Sequence, residues 1–257
     1  MLLPEKVLLL TVGVDVQAKY IVSLTAGWSP EGELWILDYE KTECDARDDA
    51  VWRGLAAYLT AVRFEHPSGD VPVHLVGLDS GFLTDVIYAA VRLGNSQPGR
   101  GGRWWYATKG VGGLTAEPLV LPMRDERDAH GHRGLRPLRI NTDEAKSEFY
   151  AMLATKEKGP GYVHLPRRLA DTDLLAELTS EELRTKYDPE GVACGVQWRK
   201  KTPDARNEAL DCACITLALY HFVTKSQWFQ LLVGRYGQTE GMRRFQARYP
   251  DQIRRAR

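Results

Sequence analysis

Cysteine is scarce. There are 4 in 257 residues, with no Cys-x-x-Cys pair, so neither a disulfide scaffold nor a zinc ribbon is on offer. Cys212 and Cys214 are two apart, which on a helix places them on different faces. All four read as reduced, buried thiols of a cytosolic protein. Net charge is also missing: 34 Lys+Arg balance 34 Asp+Glu. Bulk charge therefore announces no nucleic-acid partner, and any basic surface has to be local. No apolar run reaches the roughly 18–20 residues that span a bilayer, and the opening residues lack the basic start and cleavage site of a signal peptide. There is no internal repeat and no long low-complexity linker. No Gly-x-x-x-x-Gly-Lys-Ser/Thr loop is present, so the chain carries no P-loop of its own.

What remains is ordinary globular composition, 44% hydrophobic and 26% charged, in a length that can bury a full core. Residues 7–16 form a nearly unbroken, β-branched run that reads as a strand covered on both faces. Residues 20–28 and 33–39 follow around Ser29-Pro30-Glu31-Gly32, a strong turn signal, so a hairpin or meander is expected. Asp45 reads as the cap of a helix over 46–62. Residues 71–79 read as a second buried strand, 82–93 as a helix stopped by Gly94, and 103–108 as an aromatic strand whose Trp104, Trp105 and Tyr106 belong to the core. Residues 110–136 read as an excursion in which His130 and His132 are solvated. Asn141 with Glu144 predicts a capped helix to about residue 155. Thr179 with Glu182 predicts a short helix, and Thr202-Pro203 the start of the last strong helix, ending near Phe222. A meander followed by alternating strands and helices predicts an α/β mixed sheet, antiparallel and parallel, covered by helices on both faces.

Three carboxylates do not suit their surroundings. Asp15 ends the first buried strand in Gly13-Val14-Asp15, and Asp79 ends a later one in Gly77-Leu78-Asp79. A carboxylate at the mouth of a buried sheet is costly unless paired or metal-bound. If the strands are parallel neighbours, both acids emerge at one sheet edge, about 4.8 Å apart. Asp211 stands where the polar start of the last helix meets its apolar body, with Asn207 and Glu208 on the same face. Each alone reads equally as a turn residue or salt-bridge partner; the matched Gly-x-Asp strand ends make the set worth pursuing.

These residues resemble the nuclease domain of the large terminase subunit of lambda-like tailed bacteriophages, the GpA type. The matching pieces are Val12-Gly13-Val14-Asp15-Val16-Gln17, Leu78-Asp79-Ser80-Gly81, Thr108-Lys109-Gly110, Thr142-Asp143-Glu144-Ala145-Lys146, Tyr162-Val163-His164-Leu165-Pro166 and Arg206-Asn207-Glu208-Ala209-Leu210-Asp211. The resemblance implies an RNase H-like fold and a two-metal endonuclease that cuts concatemeric viral DNA during packaging, in the host cell cytoplasm. Its catalytic acids fall on Asp15, Asp79 and Asp211. It implies a packaging ATPase domain that this chain lacks, so the chain is the nuclease portion or a split-off homologue, with double-stranded DNA, the small terminase subunit and the portal as partners.

The chemistry suits that expectation. Mg2+ or Mn2+ accepts carboxylates plus water without His or Cys, and two such ions can neutralise a phosphate and activate water. Asp15 is assigned as the bridging ligand, with Asp79 on one ion and Asp211 on the other. Glu208 is either a further or water-mediated ligand or an ordinary first-turn acid favoured by the helix dipole. Lys109, Arg100, Arg103, Arg199, Lys200 and Lys201 are candidate phosphate contacts or plain solvated charges. Two other readings stay open: another RNase H-like nuclease such as a junction resolvase or transposase, and a non-catalytic module docking on the portal. Residues 1–233 are expected to form the domain. Residues 225–257 hold eight Lys/Arg against two acids, and the part beyond 233 is expected to be an exposed basic tail.

Overall fold

The computed structural model describes residues 2–98, 104–113, 117–124 and 135–255, with side chains described to residue 247. In chain order the elements are β1 (Leu9–Val16), β2 (Tyr20–Trp28), β3 (Leu34–Glu43), α1 (Asp49–Ala61), β4 (Arg63–Phe64), β5 (Val71–Pro72), β6 (Leu75–Asp79), α2 (Thr84–Asn95) and β7 (Trp105–Val111). Then come β8 (Val120–Leu121), β9 (Leu138–Asn141), α3 (Thr142–Ala154), β10 (Val163–His164), α4 (Leu174–Leu178), β11 (Glu181–Tyr187), β12 (Ala193–Lys200), α5 (Glu208–Thr224), α6 (Gln227–Tyr236) and α7 (Gln238–Arg255).

Among the described residues, eight strands form one sheet in the order β10-β3-β2-β1-β6-β7-β9-β8. The meander β1-β2-β3 is antiparallel, while β6, β7 and β9 continue from β1 in parallel. This is the mixed sheet, an antiparallel meander plus parallel strands, expected from the sequence. Helices α1 and α2 cover one face with Val12, Val14, Val76 and Leu78. Helices α3, α4 and α5 cover the other. Both faces of β1 are covered, and all its residues are buried.

Two glycines set how close α5 comes to the sheet. Gly13 and Gly77 pair across β1 and β6. A Cβ on Gly13 would lie 2.2 Å from the Cys212 carbonyl oxygen, and one on Gly77 would lie 2.5 Å from Ile215 Cγ2. The helix backbone thus rests directly on β1, while on β6 the Ile215 side chain takes the space that Gly77 leaves. Helix α5 is buried nearly all round, as expected of a helix lacking a polar face.

Several expectations change in the structure. The expected helix after Thr179 is instead the first strand of a hairpin, β11–β12. Leu183, Thr185 and Tyr187 alternate with Glu182, Arg184 and Lys186, the period of a strand rather than a helix. Asp188-Pro189-Glu190-Gly191 supplies the turn, with Gly191 at φ 81°. The last helix begins at Glu208 rather than at Thr202-Pro203; Pro203 sits in a turn closed by Ala205 N–H to Thr202 O, 3.1 Å. The first helix is capped by Asp48 rather than Asp45, through the Ala50 N–H. Residues 71–79 divide at Pro72, which leaves the main sheet to pair with β4. Gly94 lies inside α2 rather than ending it, because the Trp105 ring packs where its Cβ would be, 2.1 Å from Cδ2. Asn141 does cap α3 through the Glu144 N–H, and Trp104, Trp105 and Tyr106 are core residues. Of the thiols, Cys212 and Cys214 are buried, but Cys194 is exposed and Cys44 half-buried.

The chain beyond residue 233 is not simply an exposed tail. Met242 and Phe245 are buried, and the Phe245 ring lies 4.8 Å from that of Trp228 and 5.8 Å from that of Phe229. Helix α7 folds back on α6 and closes the apolar cluster there.

Two stability predictions follow from this packing. Gly13→Ala should cost about 1–3 kcal/mol, as overpacking against backbone does, whereas Gly54→Ala, in α1 with open space around it, should gain about 0.5–1 kcal/mol. Urea midpoints of the two variants check this; equal effects would mean that α5 is free to lift. Deleting residues 234–257 should lower Tm by on the order of 10 °C, from two buried side chains at about 2 kcal/mol each. An unchanged Tm in a thermal scan would return this segment to solvent.

Candidate active site

Asp15 and Asp79 are each one residue beyond the paired Val14 and Leu78 of the parallel strands β1 and β6. They share the pleat of Gly13 and Gly77 two residues earlier, so both carboxylates lie on the α5 side of the sheet at its C-terminal edge. Helix α5 runs back across the sheet from that edge, so its first turn, carrying Glu208 and Asp211, stands over the two strand ends. The backbone approach at Gly13 delivers Asp211 there. The structure brings together the three acids singled out in the sequence, from two strands and one helix.

Their electrostatics reflect the crowding. Asp15 is 5% exposed. Burial, together with the charges of Asp211, Asp79 and Glu208, pushes its carboxyl from 3.8 up to about 7, although a 2.8 Å hydrogen bond from Gln17 Nε2 opposes the rise. Burial also raises Asp79, against the backbone N–H groups of Gly81 and Ser80. Asp211 rises to about 6 through burial, Glu181 and Asp79, with Lys146 pulling the other way. The N-terminus of α5, which favours anions, faces this group.

Sequence reasoning did not assign the groups that hold Asp211. Lys146, one turn into α3, places Nζ 3.5 Å from Asp211 Oδ1 and 2.8 Å and 2.9 Å from the two oxygens of Glu181. Asn207 Nδ2 donates to Asp211 Oδ2 at 3.0 Å and to Glu181 Oε1 at 2.8 Å. Lys146 lies in the quoted Thr-Asp-Glu-Ala-Lys piece, but Glu181 is in the segment read as a helix, so the pairing gave no local signal.

Glu208 is turned away from the three acids. Its Oε1 accepts from the Tyr20 hydroxyl at 2.8 Å, and Arg206 Nε lies 3.6 Å from Oε2. Its charge still reaches Asp15. Behind it Glu177, buried, accepts the Ala209 N–H at 2.9 Å and so caps α5 from a distance.

The candidate phosphate contacts spread out. Lys109 follows Thr108, the partner of Asp79; alternation places it with Trp105 and Ala107 on the α2 side, the pleat opposite the carboxylates. Arg199 and Lys200 end β12 and are exposed. Lys201 lines a cavity of about 410 Å³ with Glu177, Ser180 and Arg206. Arg100, Arg103, His130 and His132 lie outside the described residues.

Among the described residues no three His, Cys, Asp or Glu side chains form a ready-made cation cage. The donor chemistry nevertheless fits a hard divalent cation: Asp15, Asp79 and Asp211 offer oxygen alone, and their mutual repulsion is what such an ion relieves.

The family model described as terminase large subunit gpA, endonuclease domain, matches residues 1–228, and the chain belongs to that family. It is 23% identical over 236 residues to the terminase large subunit of Escherichia phage lambda, covering 88% of this chain and 34% of that protein. The chain thus spans about a third of that relative's length. A crystal structure of the large terminase nuclease domain of bacteriophage SPP1 with bound Mn is similar at a TM-score of 0.39 and 9% identity, covering 81% of this chain and 85% of that one.

The shift at Asp15 sets a testable pH dependence. Its folded pKa lies above the ordinary value, so the stabilisation it provides is full below about pH 4 and is lost as pH rises through about 7. Metal-free Asp15→Asn should therefore gain stability over wild type between pH 5 and pH 8, by up to about 4 kcal/mol at 1.4 kcal/mol per pKa unit. Urea melts in EDTA across that range check it; parallel curves for the two proteins would place Asp15 in an ordinary solvated environment.

Proposed function

We propose that the chain, as a terminase endonuclease domain, is a two-metal-ion endodeoxyribonuclease that cuts concatemeric viral DNA during genome packaging. The observation that carries this reading is the convergence of Asp15, Asp79 and Asp211 from β1, β6 and α5 on one sheet edge. Asp15, the most buried of the three, would together with Asp79 and Asp211 hold the ions. Glu208, engaged by Tyr20 and Arg206, stays outside the ligand set and adds negative potential. Mg2+ or Mn2+, when bound, supplies charge neutralisation of the scissile phosphate and an acidified water.

The chain's own residues prepare that chemistry. The carboxylates are carried by a sheet edge and a helix whose backbone rests on β1, so the backbone positions from which they reach an ion are held by packing, as the preorganisation of charged groups requires. Gln17 and the Gly81 N–H each occupy one carboxylate oxygen, on Asp15 and Asp79, and fix the rotamers. Arg199 and Lys200 on the exposed hairpin, Lys109 at the sheet edge, and Arg100 and Arg103 are assigned to DNA phosphates. These scattered basic groups on a neutral protein suit backbone contact without base reading. Cutting then takes its place and timing from partners: a packaging ATPase domain, the small terminase subunit and the portal. Membership of the terminase family disfavours a resolvase or transposase. No described helix is long and apolar enough to cross a membrane.

The test is plasmid nicking with Mn2+, Mg2+ or EDTA. Asp15→Asn, Asp79→Asn and Asp211→Asn should each lose roughly a hundredfold or more, beyond the 10–100-fold typical of residues outside the ligand shell, while remaining folded. Binding should weaken steeply with salt and show little sequence preference. Wild-type protein that neither cuts DNA nor gains Tm with Mn2+ would point to the docking module instead.

A further inference from the structure

The nuclease reading leaves one buried cation without a task. Lys146 is 13% exposed, and its ammonium sits between Glu181, 5% exposed, and Asp211. Glu181 also accepts from Asn207, which in turn donates to the other oxygen of Asp211. The four side chains therefore close a ring: Lys146 and Asn207 each hold one oxygen of Asp211, and Glu181 holds both donors. Glu181 is itself fixed by its backbone, because the Tyr150 hydroxyl donates to its carbonyl at 2.8 Å and accepts its N–H at 3.0 Å. The Tyr150 ring is stacked on Trp198 of β12, 4.6 Å between centroids. The root of the hairpin is thus the anchor of the ring.

We propose that Lys146 is a positioning residue for Asp211, and that Glu181 sets how strongly it acts. Two consequences follow, of opposite sign for metal binding. A fixed ammonium beside Asp211 holds that carboxylate in one orientation, which favours turnover. It also repels an incoming divalent cation and occupies part of Asp211, which weakens metal affinity. Glu181 divides the lysine's charge between two carboxylates and so moderates the competition. Without Glu181 the ammonium would turn wholly to Asp211. The geometry gives Lys146 the role of a resident positive charge on the Asp211 side, so that cation binding is strongest towards Asp15 and Asp79.

This inference rests on the nuclease reading, and one experiment separates the two. Mn2+ affinity is measured by titration calorimetry, and plasmid cleavage at saturating Mn2+, for the full chain and for Lys146→Met, Lys146→Arg and Glu181→Gln. Lys146→Met should bind Mn2+ roughly tenfold more tightly, the effect of removing one nearby charge, yet cleave about 10–100-fold more slowly, as loss of an outer-shell partner does. Lys146→Arg keeps the charge and should keep Mn2+ affinity near wild type. Glu181→Gln should bind Mn2+ more weakly than wild type. A merely structural lysine would lower affinity and turnover together, so a shift of the same sign in Lys146→Met and Glu181→Gln, or none in either, overturns the inference while leaving the nuclease reading intact. If Lys146→Met does not fold, the direction of the Glu181→Gln shift decides alone. Wild-type protein that binds no Mn2+ and cuts no DNA ends both.

Discussion

The contact on which the site depends is between backbones. Helix α5 lies so close to β1 that any side chain at Gly13 would meet the Cys212 carbonyl, and Gly77 leaves room for Ile215 in the same way on β6. Because both glycines are two residues before the strand-end acids, the close approach and the carboxylates share a pleat. The helix cannot shift along or away from the sheet without moving Asp211 relative to Asp15 and Asp79. Packing thus fixes a distance that chemistry needs, and it does so with backbone atoms and small residues, which have no rotamers to lose.

That packing has an electrostatic cost. Asp15, Asp79 and Asp211 are brought near one another, Asp15 buried and the other two half-buried, and burial is the first cause of the raised pKa at each. The offsets are local and uneven. Asp79 is helped by two backbone N–H groups and Asp15 by one amide, while Asp211 has a full positive charge in Lys146. Burial by itself would lower that lysine; Asp211 and Glu181 outweigh it and keep it firmly protonated. A cation that relieved such repulsion would add to the stability of the folded chain.

The parts of this arrangement that were legible in the sequence are those encoded locally. Gly-x-Asp at the end of an apolar run, twice, states both the strand and the misplaced charge. Asp211 is visible because an apolar helix makes an acid in its first turn conspicuous. The meander, the Asn141 cap and the aromatic strand were equally local. What sequence reasoning missed depends on choices between distant segments. Residues 181–187 alternate Leu, Thr and Tyr with charges, yet Thr179 and Glu182 also match a helix cap, and only the partner strand β12 decides. With that segment misread, the Lys146–Glu181 pair had no position from which to be seen. The end of the chain failed for a related reason: its arginines suggest solvent, but Met242 and Phe245, spaced for one face of a helix, find Trp228 and Phe229.

The compensation of the acids is uneven. Burial is the first cause of the rise at both Asp15, to about 7, and Asp211, to about 6. What opposes it differs: Asp15 receives a neutral amide from Gln17, while part of the charge of Asp211 is balanced by Lys146. On the proposed reading, a divalent ion would relieve most repulsion on the side of the site remote from Lys146, between the ends of β1 and β6, and on the Lys146 side it would have to compete with a charge the protein already carries.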